Sequence, residues 1–213
     1  MKEKKTPNEV IADLKKTIIL NPRCATAHYN LGVALMEQQR WDDAIDEFEE
    51  AIENSPRMFE AFINLGGVYF KIGDLEKAIK ANKRALDIKP DYARAYGNLG
   101  FIYLQQENTE AAIDVLKKAI SINPIFVQAL SNLANAYLQQ GNIEESIAAG
   151  KKVIEIAPTF ALAHNNLATA YYSKESFKEA VKHCDKAREL GFEVQPEFLK
   201  ALEPYRSKGL RNL

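Results

Sequence analysis

The fold is decided by a stretch that reads FINLGGVYFKIGDLEKAIKANKRALDIKP from Phe62 to Pro90. Its pattern returns 34 residues later as YGNLGFIYLQQENTEAAIDVLKKAISINP, which ends at Pro124. The same spacing separates five of the eight prolines in the chain, namely Pro22, Pro56, Pro90, Pro124 and Pro158. A fixed period of about 20–50 residues is the signature of stacked supersecondary units. The sequence therefore predicts a repeat protein.

Each period predicts two antiparallel helices. Counted from Ala25, apolar residues recur at the i, i+3, i+4, i+7 spacing of a helix in both halves of a repeat. Between the halves of the second repeat lies Gly73-Asp74, where glycine can end one helix and aspartate can cap the next. Equivalent breaks occur at Glu107-Asn108, Gly141-Asn142 and Glu175-Ser176. The proline near the end of a repeat then ends the second helix, because it has no N–H to donate.

These residues resemble the tetratricopeptide repeat (TPR) family, whose pattern is W-x2-L-G-x2-Y, A-x3-F and P. The second repeat carries the pattern as Phe62, Leu65, Gly66, Tyr69, Ala78 and Pro90. The chain departs from the family pattern at three positions. Asn82 and Gly150 replace the large residue of the second helix in their repeats, and Phe192 replaces the proline of the fifth repeat. The resemblance implies an all-α solenoid, a right-handed superhelix of antiparallel helix pairs.

The resemblance also divides the chain into segments. Five repeats are expected at residues 25–58, 59–92, 93–126, 127–160 and 161–194. Residues 1–24 form an N-terminal lead and a half-repeat, in which 7–20 matches a second helix alone. Residues 195–213 form a C-terminal capping helix and a tail. We therefore expect twelve helices.

Composition narrows the class of function. The formal net charge of −1 provides no basic field for nucleic acid. No apolar run approaches the length of a transmembrane helix, and the basic start lacks an apolar segment behind it, so we expect a cytoplasmic protein without direct membrane insertion. Because a solenoid needs polar ends, we expect that role for the charged residues Lys2, Lys4, Lys5, Lys208 and Arg211.

The resemblance implies that the first helices line a concave groove. The sixth residue of every repeat is an asparagine, giving Asn30, Asn64, Asn98, Asn132 and Asn166. An amide both donates and accepts hydrogen bonds. The column can therefore hold the backbone of an extended peptide, and it is similar to the asparagine ladder in the TPR domain of O-linked N-acetylglucosamine transferase. The alternative, that these amides only satisfy neighbouring helices, stays open.

The other expected groove residues are mostly apolar, which suits adaptable recognition of side chains. They are Tyr29, Ile63, Phe70, Phe101, Leu104, Leu138 and Tyr172. TPR domains that bind acidic chaperone tails resemble a carboxylate clamp with several basic groove residues. Here only Arg94 and Lys71 are basic at the corresponding positions, so Arg94 is kept as a groove residue and chaperone-tail binding is disfavoured.

The positions of the cysteines and histidines in the repeats disfavour catalysis. Cys24 and His28 are four residues apart, but Cys24 lies in the turn into a helix. His28 occupies a repeat position whose other residues are explained by packing. His183-Cys184 lies in a second helix, with Cys184 in the core column. No metal-ligand spacing, phosphate loop or hydrolase motif is present, and five repeats with two caps leave no room for a catalytic domain. We expect no cofactor.

The sequence therefore predicts a non-catalytic adaptor or assembly scaffold that binds a protein or peptide partner. A second hypothesis is head-to-tail self-association through Val10, Leu14 and Ile18 on the half-repeat. It is similar to the behaviour expected of TPR scaffolds that coat bacterial organelles, such as the magnetosome-associated one. A third hypothesis is a regulatory domain of a multi-subunit enzyme.

Overall fold

The computed structural model describes residues 5–206, and in that range it contains twelve α-helices and no strand. The helices are α1 (Pro7–Leu20), α2 (Ala25–Glu37), α3 (Trp41–Asn54), α4 (Phe59–Lys71), α5 (Leu75–Ile88), α6 (Ala93–Gln105), α7 (Thr109–Ile122), α8 (Val127–Gln139), α9 (Ile143–Ile156), α10 (Ala161–Ser173), α11 (Phe177–Glu189) and α12 (Pro196–Arg206). The predicted all-α solenoid is confirmed. Four of the expected polar end residues, Lys2, Lys4, Lys208 and Arg211, lie outside the described range.

The chain forms two compact lobes, divided inside α6 between Asn98 and Leu99. In the N-terminal lobe, α1 packs against α2, α2 against α3, α3 against α4 and α4 against α5. In the C-terminal lobe, α7 packs against α8, and the succession continues through α9, α10 and α11 to α12. Within each lobe these helices contact their neighbours in sequence, as a stack of helical repeats requires.

The turn inside each repeat uses one left-handed residue at its fifteenth position. Glycine occupies it in two repeats, with φ of 85° at Gly73 and 78° at Gly141. Three other repeats adopt the same conformation without glycine, at Gln39, Glu107 and Glu175, with φ of 58–60°. The following residue is the N-cap of the second helix. In the second repeat this residue is Asp74, which accepts a hydrogen bond from the Lys77 amide at 3.0 Å. Glycine thus favours this turn but is not required for it.

The predicted caps differ in strength. Asn108 accepts a hydrogen bond from the Ala111 amide at 3.3 Å, whereas Asn142 and Ser176 hold the cap position without a side-chain cap bond. Sequence analysis missed the cap of α1. There the Glu9 amide donates to the Thr6 hydroxyl at 3.3 Å while the Thr6 amide donates to the Glu9 carboxylate at 2.8 Å, which is a capping box.

The two helices of a repeat approach most closely where the eighth residue faces the twenty-fourth. A methyl group at Gly32 would lie 2.8 Å from the Phe48 ring, and one at Gly66 would lie 2.6 Å from the Asn82 amide nitrogen. The pair is Gly100 and Leu116 in the third repeat. Where the eighth residue is alanine, in the fourth and fifth repeats, the twenty-fourth is the small Gly150 or Cys184. A methyl group at Gly150 would instead lie 2.9 Å from Leu167 of the next repeat, so the close approach of the eighth and twenty-fourth positions is found in the first three repeats.

The polar departure at Asn82 is satisfied inside the helix pair. Its side chain is fully buried, its amide nitrogen donates to the Ala78 carbonyl at 2.8 Å, and its oxygen accepts from the Asn98 amide at 3.0 Å. A buried amide without partners would be costly. These two bonds explain how an asparagine is accommodated in a column otherwise occupied by nonpolar residues.

Two histidines at the fourth position anchor the start of their repeats. The Nε2 of His28 donates to the Pro22 carbonyl at 2.8 Å, and the Nε2 of His164 donates to the Pro158 carbonyl at 2.9 Å. Their Nδ1 atoms meet the twenty-third residue of the repeat. That residue is Glu47 for His28, at 2.7 Å, and His183 for His164, at 3.0 Å.

The pKa values of His28 and His183, one histidine from each pair, move in opposite directions. Burial alone would lower the pKa of His28, but the hydrogen bonds to the Pro22 carbonyl and to Glu47 outweigh it, and the pKa is raised. Burial lowers the pKa of His183 to about 4, and the nearby positive charges of His164, Lys182 and Lys151 act in the same direction, against Glu179. Protonation therefore favours the first repeat and opposes the fifth.

We expect neighbouring glycines of α4 to respond in opposite ways to alanine. Gly66→Ala should lower the free energy of unfolding by about 1–3 kcal/mol, because its methyl group would overlap the Asn82 amide. Gly67→Ala should raise it by about 0.5–1 kcal/mol, because nothing lies within 4 Å of the added methyl group and alanine favours helix. Denaturant unfolding measures both, and equal effects would contradict the close-approach account.

We expect acid to destabilise the fifth repeat selectively. The His183 pKa is below its unfolded value of about 6.5, so its contribution is present above that pH and is lost as pH falls toward 4. The His28 pKa is raised, so its contribution is present below about 6.5 and is lost at higher pH. Hydrogen exchange at pH 7 and pH 5, corrected for intrinsic rates, should show α11 opening more at pH 5 while α2 opens less.

His183→Gln is the control for this pH dependence. It removes the titrating ring and should abolish the acid response of the fifth repeat without altering that of the first. A parallel response of both repeats in the original protein would show that the histidine pairs do not set local stability.

Candidate functional site

The C-terminal lobe contains a cavity of about 200 Å³. It is lined by residues of α6, α8 and α10, which are the first helices of the third, fourth and fifth repeats. The regular stacking of the repeats brings equivalent faces of these helices together. The residues that line the cavity are Phe101, Leu104, Gln105, Gln128, Ser131, Asn132, Asn135, Gln139, Leu162 and Asn166. Six of these ten carry a side-chain amide, and none carries a formal charge.

This composition limits what the cavity can bind. Each amide offers both a donor and an acceptor, and the apolar part of the lining comes from Phe101, Leu104 and Leu162. A charged group would be desolvated there without an ion partner, which is unfavourable. The arrangement suits an uncharged ligand that carries both amide-like polar groups and small apolar groups.

Two neighbouring polar residues of α8 differ in their hydrogen bonding. Asn132 is 7% exposed, and its oxygen accepts a hydrogen bond from the Gln128 amide at 3.2 Å, which fixes its orientation. Ser131 is 1% exposed, and within the described residues its hydroxyl has no hydrogen-bond partner. Buried hydroxyl groups normally have a partner. The Ser131 hydroxyl therefore lies within the cavity wall, almost without accessible surface.

The predicted asparagine ladder is not uniform in its surroundings. Asn30 is exposed, the amide of Asn64 donates to the Tyr29 hydroxyl at 3.1 Å, and the amide of Asn98 donates to Asn82. Of the five asparagines in this column, only Asn132 and Asn166 line the cavity of α6, α8 and α10. The alternative of amides that satisfy neighbouring helices therefore holds for part of the column, in the N-terminal lobe.

One expected groove residue, Ile63, lies in the core instead. Ile63 is 2% exposed and packs in the core with Ala85 and Ala95, so it offers almost no surface to a ligand. The fifth position of this repeat turns toward the following helices, whereas the fifth position of the fourth repeat, Ser131, lines the cavity. Ile63 is therefore a core residue.

The other expected groove residues divide between packing and surface. Phe101 and Leu104 line the cavity, and Arg94 is exposed. Tyr29, Phe70, Leu138 and Tyr172 are half-buried. The ring of Tyr29 lies 6.0 Å from that of Phe48, and Tyr172 packs edge-on against Phe177 and Phe198, each 5.5 Å away.

Most of the amide lining was not predicted from the sequence. Gln128 occupies the second position of its repeat, and Gln105 and Gln139 occupy the thirteenth. Those positions were considered only for basic residues, so their shared amide character went unused. Asn135, at the ninth position, is the remaining amide that the column of sixth residues could not reveal.

The residues considered for catalysis occupy structural positions. Both ring nitrogens of His28 are hydrogen-bonded, to Pro22 and to Glu47, and the ring is buried. Cys184 is fully buried, and burial raises the pKa of its thiol above the ordinary value, which opposes the reactive thiolate. Among residues 5–206, no group of three or more histidine, cysteine or acidic side chains is placed to hold a metal ion.

None of the helices within residues 5–206 combines the length and the hydropathy needed to cross a bilayer.

Solved structures provide the first comparison. One structure of MamA shares 31% identity over 75% of this chain and 94% of its own, with a TM-score of 0.69. Another MamA structure shares 28% identity over 81% and 98%, with a TM-score of 0.70. YrrB, described as a TPR protein with an unusual peptide-binding site, shares 22% over 91% and 97%, with a TM-score of 0.71, and at that identity shows the fold alone.

Family models provide the second comparison, while no curated protein matches the chain. A model described as tetratricopeptide repeat matches residues 11–59 and 34–93, and another of the same description matches 161–191. A model described as TPR repeat matches 102–141 and 134–175. Together with the MamA likeness at 31% identity, these matches show that the chain belongs to the tetratricopeptide repeat family.

Proposed function

We propose that the chain is a non-catalytic protein-interaction module whose C-terminal lobe binds an uncharged peptide segment. The observation that carries the proposal is the cavity of α6, α8 and α10, which combines six amides with an apolar lining and no charged side chain. Members of this family generally act as interaction modules, which supports a protein or peptide as the partner.

The amides suit the backbone of a peptide. Every peptide unit presents one C=O and, except at proline, one N–H, and an asparagine or glutamine side chain can pair with both. Asn135 and Asn166 lie on the adjacent helices α8 and α10, and Gln128 lies seven residues before Asn135 on α8. These groups would hold the backbone in place.

The apolar part of the lining would select side chains. Phe101 is 38% exposed and is thus available to a ligand, and Leu162 is half-buried on α10. A volume of about 200 Å³ holds only a short segment, so one or two small apolar side chains would enter. Acidic or basic side chains would be rejected, because their charge would meet no counter-ion in the lining.

Self-association is a second candidate, supported by a different apolar surface from the one the sequence predicted. Val10, Leu14 and Ile18 are half-buried rather than exposed, because α1 packs against α2. The exposed apolar residues of α1 are Ile19 and Leu20, with 76% and 86% of their surface accessible. Two adjacent apolar side chains at such exposure favour contact with another apolar surface.

Peptide binding is tested with a phage-displayed random library selected on the full chain. Uncharged peptides should be enriched, and their affinity should fall about tenfold in the double variant Asn135→Ala, Asn166→Ala, since two hydrogen bonds of about 0.5–1.5 kcal/mol each are lost. Gln106→Ala is the matched control, because it follows the cavity residue Gln105 but does not line the cavity. Equal affinity of the double variant and the original chain would refute the proposed site.

Self-association is tested by sedimentation at two protein concentrations. We expect a mass increase with concentration that the variant Ile19→Glu, Leu20→Glu abolishes, because charge at these positions opposes an apolar contact. Ile125→Glu is the control, since Ile125 is 68% exposed but lies in the C-terminal lobe. A chain that remains monomeric at both concentrations would contradict this candidate.

A further inference from the structure

The N-terminal lobe holds a second cleft, of about 430 Å³, whose chemistry differs from that of the amide-lined cavity. It is formed by α3, α4 and α5. Helix α4 contributes the apolar side chains Phe62, Leu65 and Tyr69, and α5 contributes the cationic side chains Lys77, Lys80 and Arg84. The proposed peptide-binding cavity contains no charged lining residue, so the two sites would not select the same ligand.

The two sets of side chains have the same helical spacing. Phe62, Leu65 and Tyr69 follow i, i+3, i+7 along α4, and the three cations follow i, i+3, i+7 along α5. Residues with this spacing form a stripe along one side of a helix. Seven residues of helix rise about 10 Å. The cleft therefore presents an apolar stripe beside a cationic stripe, each about two helical turns long.

The acidic side chain in the cleft is engaged by a neighbour. Glu49 of α3 accepts a hydrogen bond from the Tyr69 hydroxyl at 3.1 Å. Burial and this carboxylate raise the pKa of Tyr69 to about 12, so its hydroxyl stays protonated and continues to donate. The lining carries three positive groups and one negative group, which leaves two positive charges in excess.

The cations of the cleft remain accessible to a ligand. Lys77 and Arg84 make ion pairs with Asp74 at 3.3 Å and Asp87 at 3.1 Å, yet each cation keeps 61% of its side chain exposed. Ion pairs of that exposure contribute little and can rearrange around a new partner. The Lys77 ammonium also lies 5.1 Å from the centre of the Tyr69 ring, which brings the cationic and apolar stripes together.

We propose that this cleft binds an amphipathic helix of a partner protein that carries carboxylates along one edge of its apolar face. The apolar face would contact the half-buried Phe62, above the nearly buried Leu65 and Tyr69. Its carboxylates would meet Lys77, Lys80 and Arg84. A helix suits the cleft better than an extended segment, because a helical ligand repeats its side chains at the spacing of the two stripes. Charge complementarity at three successive positions would set the direction of the partner helix.

The test uses a designed helical peptide and the full chain. The peptide places leucines at i, i+3 and i+7 and a glutamate directly after each leucine, and its affinity is measured by fluorescence anisotropy. We expect binding that falls about tenfold in the variant Lys80→Glu, Arg84→Glu and by a smaller factor in Lys80→Gln, Arg84→Gln. Glutamine in place of the peptide's glutamates should weaken binding to a similar degree.

Matched controls separate this proposal from general charge attraction and from the peptide-binding cavity. Lys83→Glu changes an exposed lysine of the same helix outside the cleft and should leave the affinity unchanged. Asn135→Ala, Asn166→Ala should also leave it unchanged. Equal binding of a scrambled peptide of the same composition, an equal loss with Lys83→Glu, or no loss with the double charge reversal would each overturn the proposal.

Discussion

The fold depends on the close approach of two helices at the eighth and twenty-fourth positions of the first three repeats. Gly32 faces Phe48, and Gly66 faces Asn82, at distances that leave no room for an additional methyl group. Overpacking such a contact displaces neighbouring side chains and costs stability. In the first three repeats the eighth residue is glycine while its partner is Phe48, Asn82 or Leu116, so the space at the eighth position is constrained while the chemistry of its partner is free to vary. Even an amide is tolerated once its hydrogen bonds are satisfied, as at Asn82.

That constraint explains how one repeat pattern can support two different surfaces. The contact positions fix where each helix lies, and the remaining positions are free to carry amides on α8 or cations on α5. The amide-lined cavity excludes charge, whereas the cleft in the N-terminal lobe concentrates it. Function in such a scaffold belongs to sites built on the fold rather than to the fold itself. The near-zero net charge of the chain therefore conceals two distinct local chemistries.

The sequence determines the helices more fully than the environments of their side chains. The period of 34 residues predicted the helix pairs, the half-repeat was expected because residues 7–20 match a second helix, and the capping helix was expected from its apolar face. The asparagine column was less informative, because equivalent backbone positions do not have equivalent neighbours. Asn98 meets a polar partner only because the second repeat carries Asn82, and Ile63 is buried against Ala85 and Ala95. Such differences arise from tertiary contacts that a single column cannot express.

The paired histidines show how far this dependence on neighbours extends. His28 and His164 share a position in the repeat, and both rings donate Nε2–H to a proline carbonyl. The carboxylate of Glu47 makes a positive ring favourable in the first repeat. In the fifth repeat the facing group is the second imidazole of His183, and two positive rings at 3.0 Å would repel each other. The twenty-third residue is thus a carboxylate that favours a positive neighbour in the first repeat and an imidazole whose pKa is lowered in the fifth, while the anchoring hydrogen bond is retained. Equivalent positions of the repeats therefore share a backbone arrangement, while the residues that differ between repeats determine hydrogen bonding and protonation.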